Sequence, residues 1–423
     1  MWLRTHNIGR VERAEIEFKG ITVVAGENGS GKSTISKSLY TAVEIFNNLN
    51  EKANIQKRRS TIKAIQEWRF GNPYVASSKK ISVGYIYESF IKYSDNFKDF
   101  KNVLLDLLEE VIANKLVRKN TVEIRIEELF HALKEINEKD MMYYAQYSAQ
   151  VIADNIFQNQ INCLKGHVEG LIEYENGEET NRICLIEHKI ADMNVSFYDT
   201  QDIKPIYITT SDLMDSVGTY RRLHFAEKNG TISYANSELT KLLMDDIRIS
   251  SLVAEEYHTL EEQKALLEDI FAQVLEGEIY LEQNQLAYHD NWCDANIEFP
   301  NIASGMKIFL ILKRLISNGT FLKDICLIID EPETNLHPQW QLILAHMLVL
   351  LSKKLQVKVY LNSHSPYFVR AVEYYANQNQ YLTHCNFYTM NRNNNTGMFY
   401  SDEVTKKLGT IYDKLAEPFN QIM

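Results

Sequence analysis

The stretch AGENGSGKST (25–34) follows a short β-branched run, GITVVA (20–25), and leads into KSTISKSLYTAVEIFNNL (32–49). In that last segment Ile35, Leu39, Val43 and Phe46 recur on one helical face. A buried strand, a glycine-rich turn and an amphipathic helix in direct succession leave few folds open. Gly26-x-x-x-x-Gly31-Lys32-Ser33 fits the full phosphate-loop pattern. Successive backbone N–H groups must curl round an anion there, and only glycine lets the chain come that close. The helix that follows presents its positive end. Lys32 reaches the β- and γ-phosphates and Ser33 offers a hydroxyl to Mg²⁺. The expected ligand is a nucleoside triphosphate with Mg²⁺, held by Gly26, Glu27, Asn28, Gly29, Ser30, Gly31, Lys32, Ser33 and Thr34. A glycine turn that merely starts a helix is the plainer reading, and the complete pattern in its strand–helix setting outweighs it.

Near the other end, DICLIIDEPETNLHP (324–338) is an apolar run that stops at two acids. Ligands of doubly wound sheets gather at the carboxyl ends of strands. Asp330 is placed to hold Mg²⁺, directly or through water, and Glu331 to orient or deprotonate the attacking water. Solvated turn acids are the alternative, and apolar residues right up to Asp330 argue against it. Pro332 stops the strand and helps to fix Glu331 at its lip.

Between these ends the texture changes. FKDFKNVLLDLLEEVI (97–112) and AQVIADNIFQNQINCL (149–164) carry helical spacing without a sustained heptad seam. Strand-like pieces return at 183–190, 193–199 and 204–210, a helical stretch covers 237–276, and 278–290 reads as a hairpin turning near Asn284. Alternating helix and strand from 307 to 404 implies a parallel sheet covered on both faces. The expected organisation is a first head segment (1–45), a mostly helical insertion (46–170), a β-rich return (171–235), a helical segment (236–276) and a second head segment (277–423).

The five cysteines make no C-x-x-C pair, so neither a zinc ribbon nor a disulfide framework is expected. YHDNWCD (288–294) reads as polar strand residues rather than a metal site. No run of 18 apolar residues exists and the first residues lack a signal core, so a cytoplasmic protein without a membrane partner is expected. A net charge of -11 disfavours a dedicated nucleic-acid coat, although Lys57-Arg58-Arg59 forms a local basic cluster.

Taken together, Gly26–Ser33, NIASGMK (301–307), LIIDEPETNLHP (327–338) and LNSHSP (361–366) resemble the ABC-type ATPase heads of the SMC/Rad50/RecF group. Within that group it looks more like ATPases related to the overcoming-lysogenization-defect proteins, a branch that includes ATPase subunits of the Septu, PARIS and Gabija anti-phage systems. The resemblance covers the two ends of the chain and leaves the middle unassigned. It implies an α/β fold: a bipartite P-loop head with a mostly parallel sheet, an antiparallel β subdomain and a large helical insertion. It implies that Ser304 and Gly305 stand in the signature position and touch the γ-phosphate bound to a partner subunit, although Ala303, Met306 and Lys307 depart from the fuller signature. A Ser-Gly that only starts a helix is the plainer reading. His364 matches the switch histidine, and Asn335-Leu336-His337 the loop where heads meet.

The same resemblance implies a homodimer or higher homo-oligomer with ATP between two heads. The segment after His364 is too short for the nuclease domain fused to longer relatives. A separate nuclease or toxin effector in an anti-phage complex is therefore the expected partner. A RecF- or Rad50-like repair ATPase that binds DNA directly is the alternative, and a transporter ATPase is a third, disfavoured by the departures in the signature.

Overall fold

The computed structural model of the chain describes residues 1–72, 75, 81–113, 118–162, 168–177, 179–195, 203–209, 234–245, 253–282, 285–322 and 324–417. Two compact units emerge: residues 1–47 with 150–423, and residues 48–149.

The larger unit is built on strands β1 (Trp2–Ile8), β2 (Val11–Glu17), β3 (Ile21–Ala25), β4 (Gly170–Asn176), β5 (Glu179–Ile186), β6 (Lys189–Asn194) and β7 (Lys204–Thr209). The later strands are β8 (Gly277–Glu282), β9 (Gln285–Asp290), β10 (Ile297–Glu298), β11 (Ile325–Asp330), β12 (Lys358–Ser363), β13 (Cys385–Arg392) and β14 (Phe399–Glu403). Among the described residues, eleven of them form one sheet in the order β6-β5-β4-β1-β2-β14-β13-β3-β12-β11-β7, and β10-β9-β8 form a small antiparallel sheet. The large sheet has two halves. From β13 through β3, β12 and β11 to β7 every pairing is parallel, whereas β6-β5-β4-β1-β2 is antiparallel throughout.

The sequence explains this division. β3 (ITVVA) and β11 (ICLIID) are buried at every position, as strands covered on both faces must be. β1 and β2 alternate buried and half-exposed positions, as an antiparallel strand with one solvated face does. Helices Ser304–Ser317, Pro338–Leu355 and Pro366–Gln378 supply the apolar cover, with Phe309, Leu312, Leu344, Leu348, Phe368 and Val372 in a common core. Pro366 starts the last of these helices and Ser365 caps it by accepting from the Phe368 N–H.

Two local features differ from the periodicity-based expectation. The run 183–190 is two strands rather than one, because Glu187 takes a left-handed φ of 55° and the chain turns back between β5 and β6. β1 had no counterpart in the reading of the first residues; its partners on both sides, β2 and β4, are what make it a strand. The tip of the 278–290 hairpin, the end of the 193–199 run, Cys163 and Lys79-Lys80 lie outside the described residues.

The smaller unit is helical: Leu49–Phe70, Val83–Lys92, Phe97–Ala113, Lys119–Glu138 and the start of Met141–Phe157. Its core is apolar, with Ile65, Ile86, Leu104, Ile126 and Leu133 around packed rings. Phe90 meets Phe100 edge-on at 6.1 Å between centroids, and Phe130 lies 5.3 Å from Phe100. Ser82 caps Val83–Lys92 by accepting from the Tyr85 N–H. No helix among the described residues is long and apolar enough to cross a membrane.

Candidate functional site: a phosphate loop beside a row of strand ends

Register brings the candidate residues together. Ala25 pairs with Thr389 and Ser363, Asn362 with Asp330, and Asp330 with Thr209, so the carboxyl ends of five parallel strands form one row. The phosphate loop leaves from β3, the second strand of that row, between β13 and β12. The Gly26 N–H is anchored on the Ser363 carbonyl at 3.3 Å, and Gly29 and Gly31 take left-handed φ values of 74° and 90°. Gly31 precedes the helix Lys32–Phe46, and a Cβ there would sit 2.6 Å from a Val11 methyl. A side chain at that position is excluded by space as well as by backbone conformation. Glu27, Asn28 and Gly29 are exposed, Ser33 is exposed on the first helical turn, and Thr34 is half-buried against the β1–β2 turn.

Lys32 is buried and folds back on the loop, donating to the carbonyls of Gly26 (2.8 Å) and Glu27 (2.9 Å). Burial pulls its ammonium below the ordinary lysine value, opposed by the charges of Glu331, Glu333 and Asp330. Asp330 is buried at the end of β11. Its Oδ1 accepts from the Ser36 hydroxyl at 2.7 Å and from the Asn362 amide, and its Oδ2 accepts from the Tyr207 phenol at 2.6 Å. Burial and then the Asp330 charge push the Tyr207 phenol well above its ordinary value, so it stays a donor. Tyr360 donates to Asn362 Oδ1 at 2.8 Å and so turns the Asn362 amide group toward Asp330. These neutral donors hold both carboxylate oxygens and take away the side chain's freedom to rotate.

Glu331 follows at φ 52°, a left-handed backbone that a residue with a Cβ adopts at a cost of about 1–3 kcal/mol. The Asn362 carbonyl accepts from its N–H at 3.0 Å. Its carboxylate is 40% exposed. His364 Nδ1 lies 3.7 Å from Glu331 Oε1 and 3.4 Å from Glu333 Oε1. Asp330, Glu331 and His364 therefore share one strand-end cluster with the phosphate loop.

Ser304 and Gly305 are placed differently. They open the helix Ser304–Ser317 behind Ala303, which makes no side-chain cap, with Ser304 half-buried. Gly305 sits against the turn after β11: a Cβ there would lie 2.7 Å from the Asn335 carbonyl and 3.4 Å from the Trp340 ring.

The residues fit a magnesium nucleotide. The glycine cradle has no room for side chains at Gly31, and Ser30 Oγ and Thr209 Oγ1 are buried at the row of strand ends and meet no partner among the described residues. The described residues hold no group of three or more His, Cys, Asp or Glu side chains able to ligate a metal. Ser33 and Asp330 would hold the ion together with phosphate oxygens, the usual arrangement for Mg²⁺.

Several participants escaped the reading of the sequence. Ser36, Tyr207 and Asn362 are Asp330's donors, and a polar Asn362 in the apolar strand KVYLNS was the one available signal. Arg10, on the β1–β2 turn, stands against the loop, with its guanidinium 3.2 Å from where a Gly29 Cβ would be.

None of the curated proteins matches the chain. Among solved structures it is similar to the SMC head domain from Thermotoga maritima, at 11% identity and a TM-score of 0.40, covering 95% of this chain and 98% of that one. It is also similar to the Smc head domain with an extended coiled coil bound to the C-terminal domain of ScpA from Pyrococcus furiosus, at 12% identity and a TM-score of 0.42, covering 97% and 98%. Residues 3–369 match the family model described as an AAA ATPase domain. With that match over most of its length, the chain belongs to the AAA ATPase domain family.

Proposed function

We propose that this protein hydrolyses ATP between two facing heads of ABC type. The observation that carries the reading is the meeting of Lys32, Asp330, Glu331 and His364 at adjoining strand ends, while Ser304 opens a helix whose Gly305 packs against the turn after β11. In this reading the loop N–H groups and Lys32 bind the phosphates. Lys32 exchanges its two carbonyl partners for phosphate oxygens. Glu331, held at the strand lip, orients water and takes its proton, and His364 contacts the γ-phosphate. A bound Mg²⁺ would supply charge neutralisation at Ser33 and Asp330. The half-exposed Ser304 of a second copy would complete each pocket, so ATP acts as glue between heads and its cleavage releases them.

The biological setting we infer is a cytoplasmic anti-phage complex in which this ATPase controls a separate nuclease or toxin. The DEPETNLHP turn supports it through its resemblance to the lysogenization-defect branch. A DNA-binding repair role is the second reading, favoured by one observation: the helical unit carries more Lys and Arg than Asp and Glu in a chain whose net charge is -11. The native mass with ATP and with ADP, and the ATPase rate with and without duplex DNA, separate these ideas. ATP-dependent dimers that ignore DNA support the first, and strong stimulation by DNA supports the second. A monomer that turns over ATP efficiently would refute the two-head site. Ser304→Glu is the variant to use, because any side chain at Gly305 already strikes the Asn335 carbonyl.

A further inference from the structure

Glu333 lies on the turn that leaves β11, with its side chain only 4% exposed. A single oxygen, Oε1, accepts from the Ser363 hydroxyl (2.7 Å), the His364 N–H (3.0 Å) and the Ser365 N–H (3.2 Å). The other oxygen, Oε2, is buried and meets no donor among the described residues. The chemistry assigned above leaves this acid unused. Burying a carboxyl with one oxygen unsatisfied is unfavourable, so packing alone does not account for it. All three donors belong to the consecutive residues that carry His364. In the other direction the turn is braced as one piece: Gln341 donates to the Glu333 carbonyl (3.5 Å) and the Leu336 carbonyl (3.2 Å), and the Asn335 carbonyl seats Gly305.

We infer that Glu333 is a positioning residue that ties the 363–365 segment to the 331–337 turn, so that His364, Glu331 and the seat of Gly305 move as one body. One oxygen shared by three donors makes the tie all-or-none, because a small displacement of the 363–365 backbone weakens every bond at once. Movement of His364 toward or away from a phosphate is thereby passed to Glu331 and to the helix that begins at Ser304. This rests on the ATPase reading, and it adds a specific link between the residue that senses the γ-phosphate and the surface offered to a second head.

The test uses the full chain with three readouts: affinity for a non-hydrolysable ATP analogue, kcat, and thermal stability. Glu333→Ala is expected to lower kcat by about tenfold to a hundredfold while analogue affinity stays within about twofold. Glu333→Gln keeps an oxygen for the three donors and is expected to recover kcat to within about threefold of the native protein. If Glu333→Ala does not fold, Ser363→Ala removes one donor and is expected to lower kcat by about threefold at unchanged affinity. Native kcat in Glu333→Ala or Ser363→Ala would overturn the inference, and so would equal losses of affinity, kcat and stability. Failure of Glu333→Gln to recover kcat would also overturn it, by making charge rather than anchoring the essential property. A native chain that neither binds nor hydrolyses ATP would instead sink the ATPase reading itself.

Discussion

The interior of the head and that of the helical unit differ in how they gather buried polar groups. In the helical unit the centre is apolar, with Phe90, Phe100 and Phe130 packed ring to ring and Leu104 and Leu133 filling the gaps. In the head, Ser30, Lys32, Ser36, Asp330, Glu333, Asn362 and Ser363 are all buried, and they collect where the parallel strands end. A core that serves stability alone has no reason to bury polar groups, because each must find a partner or raise the energy of the folded state. Their concentration in one row supports the proposed nucleotide site.

Lys32→Ala breaks the contrast most severely. It removes the buried cation that would meet the phosphates, and nucleotide affinity should fall by about a hundredfold or more in a binding titration; unchanged affinity would leave the buried polar row without a ligand. Next in size, Glu331→Gln should bind ATP normally and turn over about 10²–10⁴-fold more slowly in a single-turnover assay. Native rates in that variant would move the base to another residue.

Phe130→Ala probes the apolar side of the comparison. It should cost the helical unit about 3–5 kcal/mol in denaturant unfolding through the cavity left among the rings, with nucleotide affinity unchanged. A smaller loss, about 1–3 kcal/mol, is expected for Asn362→Leu, which strips one donor from a buried Asp330. Stability equal to the native protein would mean that Ser36 and Tyr207 suffice.

The smallest effect is on pH dependence. Burial raises the Glu333 carboxyl above its ordinary value of 4.5, against the pull of its Ser363 and backbone donors. A raised acid contributes stability that is full below 4.5 and is lost as pH rises through its folded-state value. The stability of Glu333→Gln relative to the native protein should therefore climb over the range just above 4.5 and then level off. A flat difference would remove the burial argument.

How much could be read in advance follows the same division. The phosphate loop is local: strand, turn and helix lie within 27 consecutive residues, Gly20 through Phe46, and glycine, lysine and hydroxyl types are each demanded by geometry the backbone itself supplies. Asp330 and Glu331 were legible because an apolar strand ends on them. Glu333 was not distinguishable from its neighbours, since only packing against 363–365 separates a buried anchor from an exposed turn acid. β1 was missed because its strand character comes from partners on either side, one of them more than 160 residues away.

From the sequence alone came the glycine loop between strand and helix, the acids at a strand's end and the alternation that implies a parallel sheet, because each is written in spacing over one or two turns of chain. The tertiary structure alone decided which polar groups cage Asp330, why Gly305 must be glycine and where His364 is tethered. Those depend on strand register and on side chains brought together across hundreds of residues, and no local pattern encodes which distant hydroxyl or amide will fill a buried hydrogen bond.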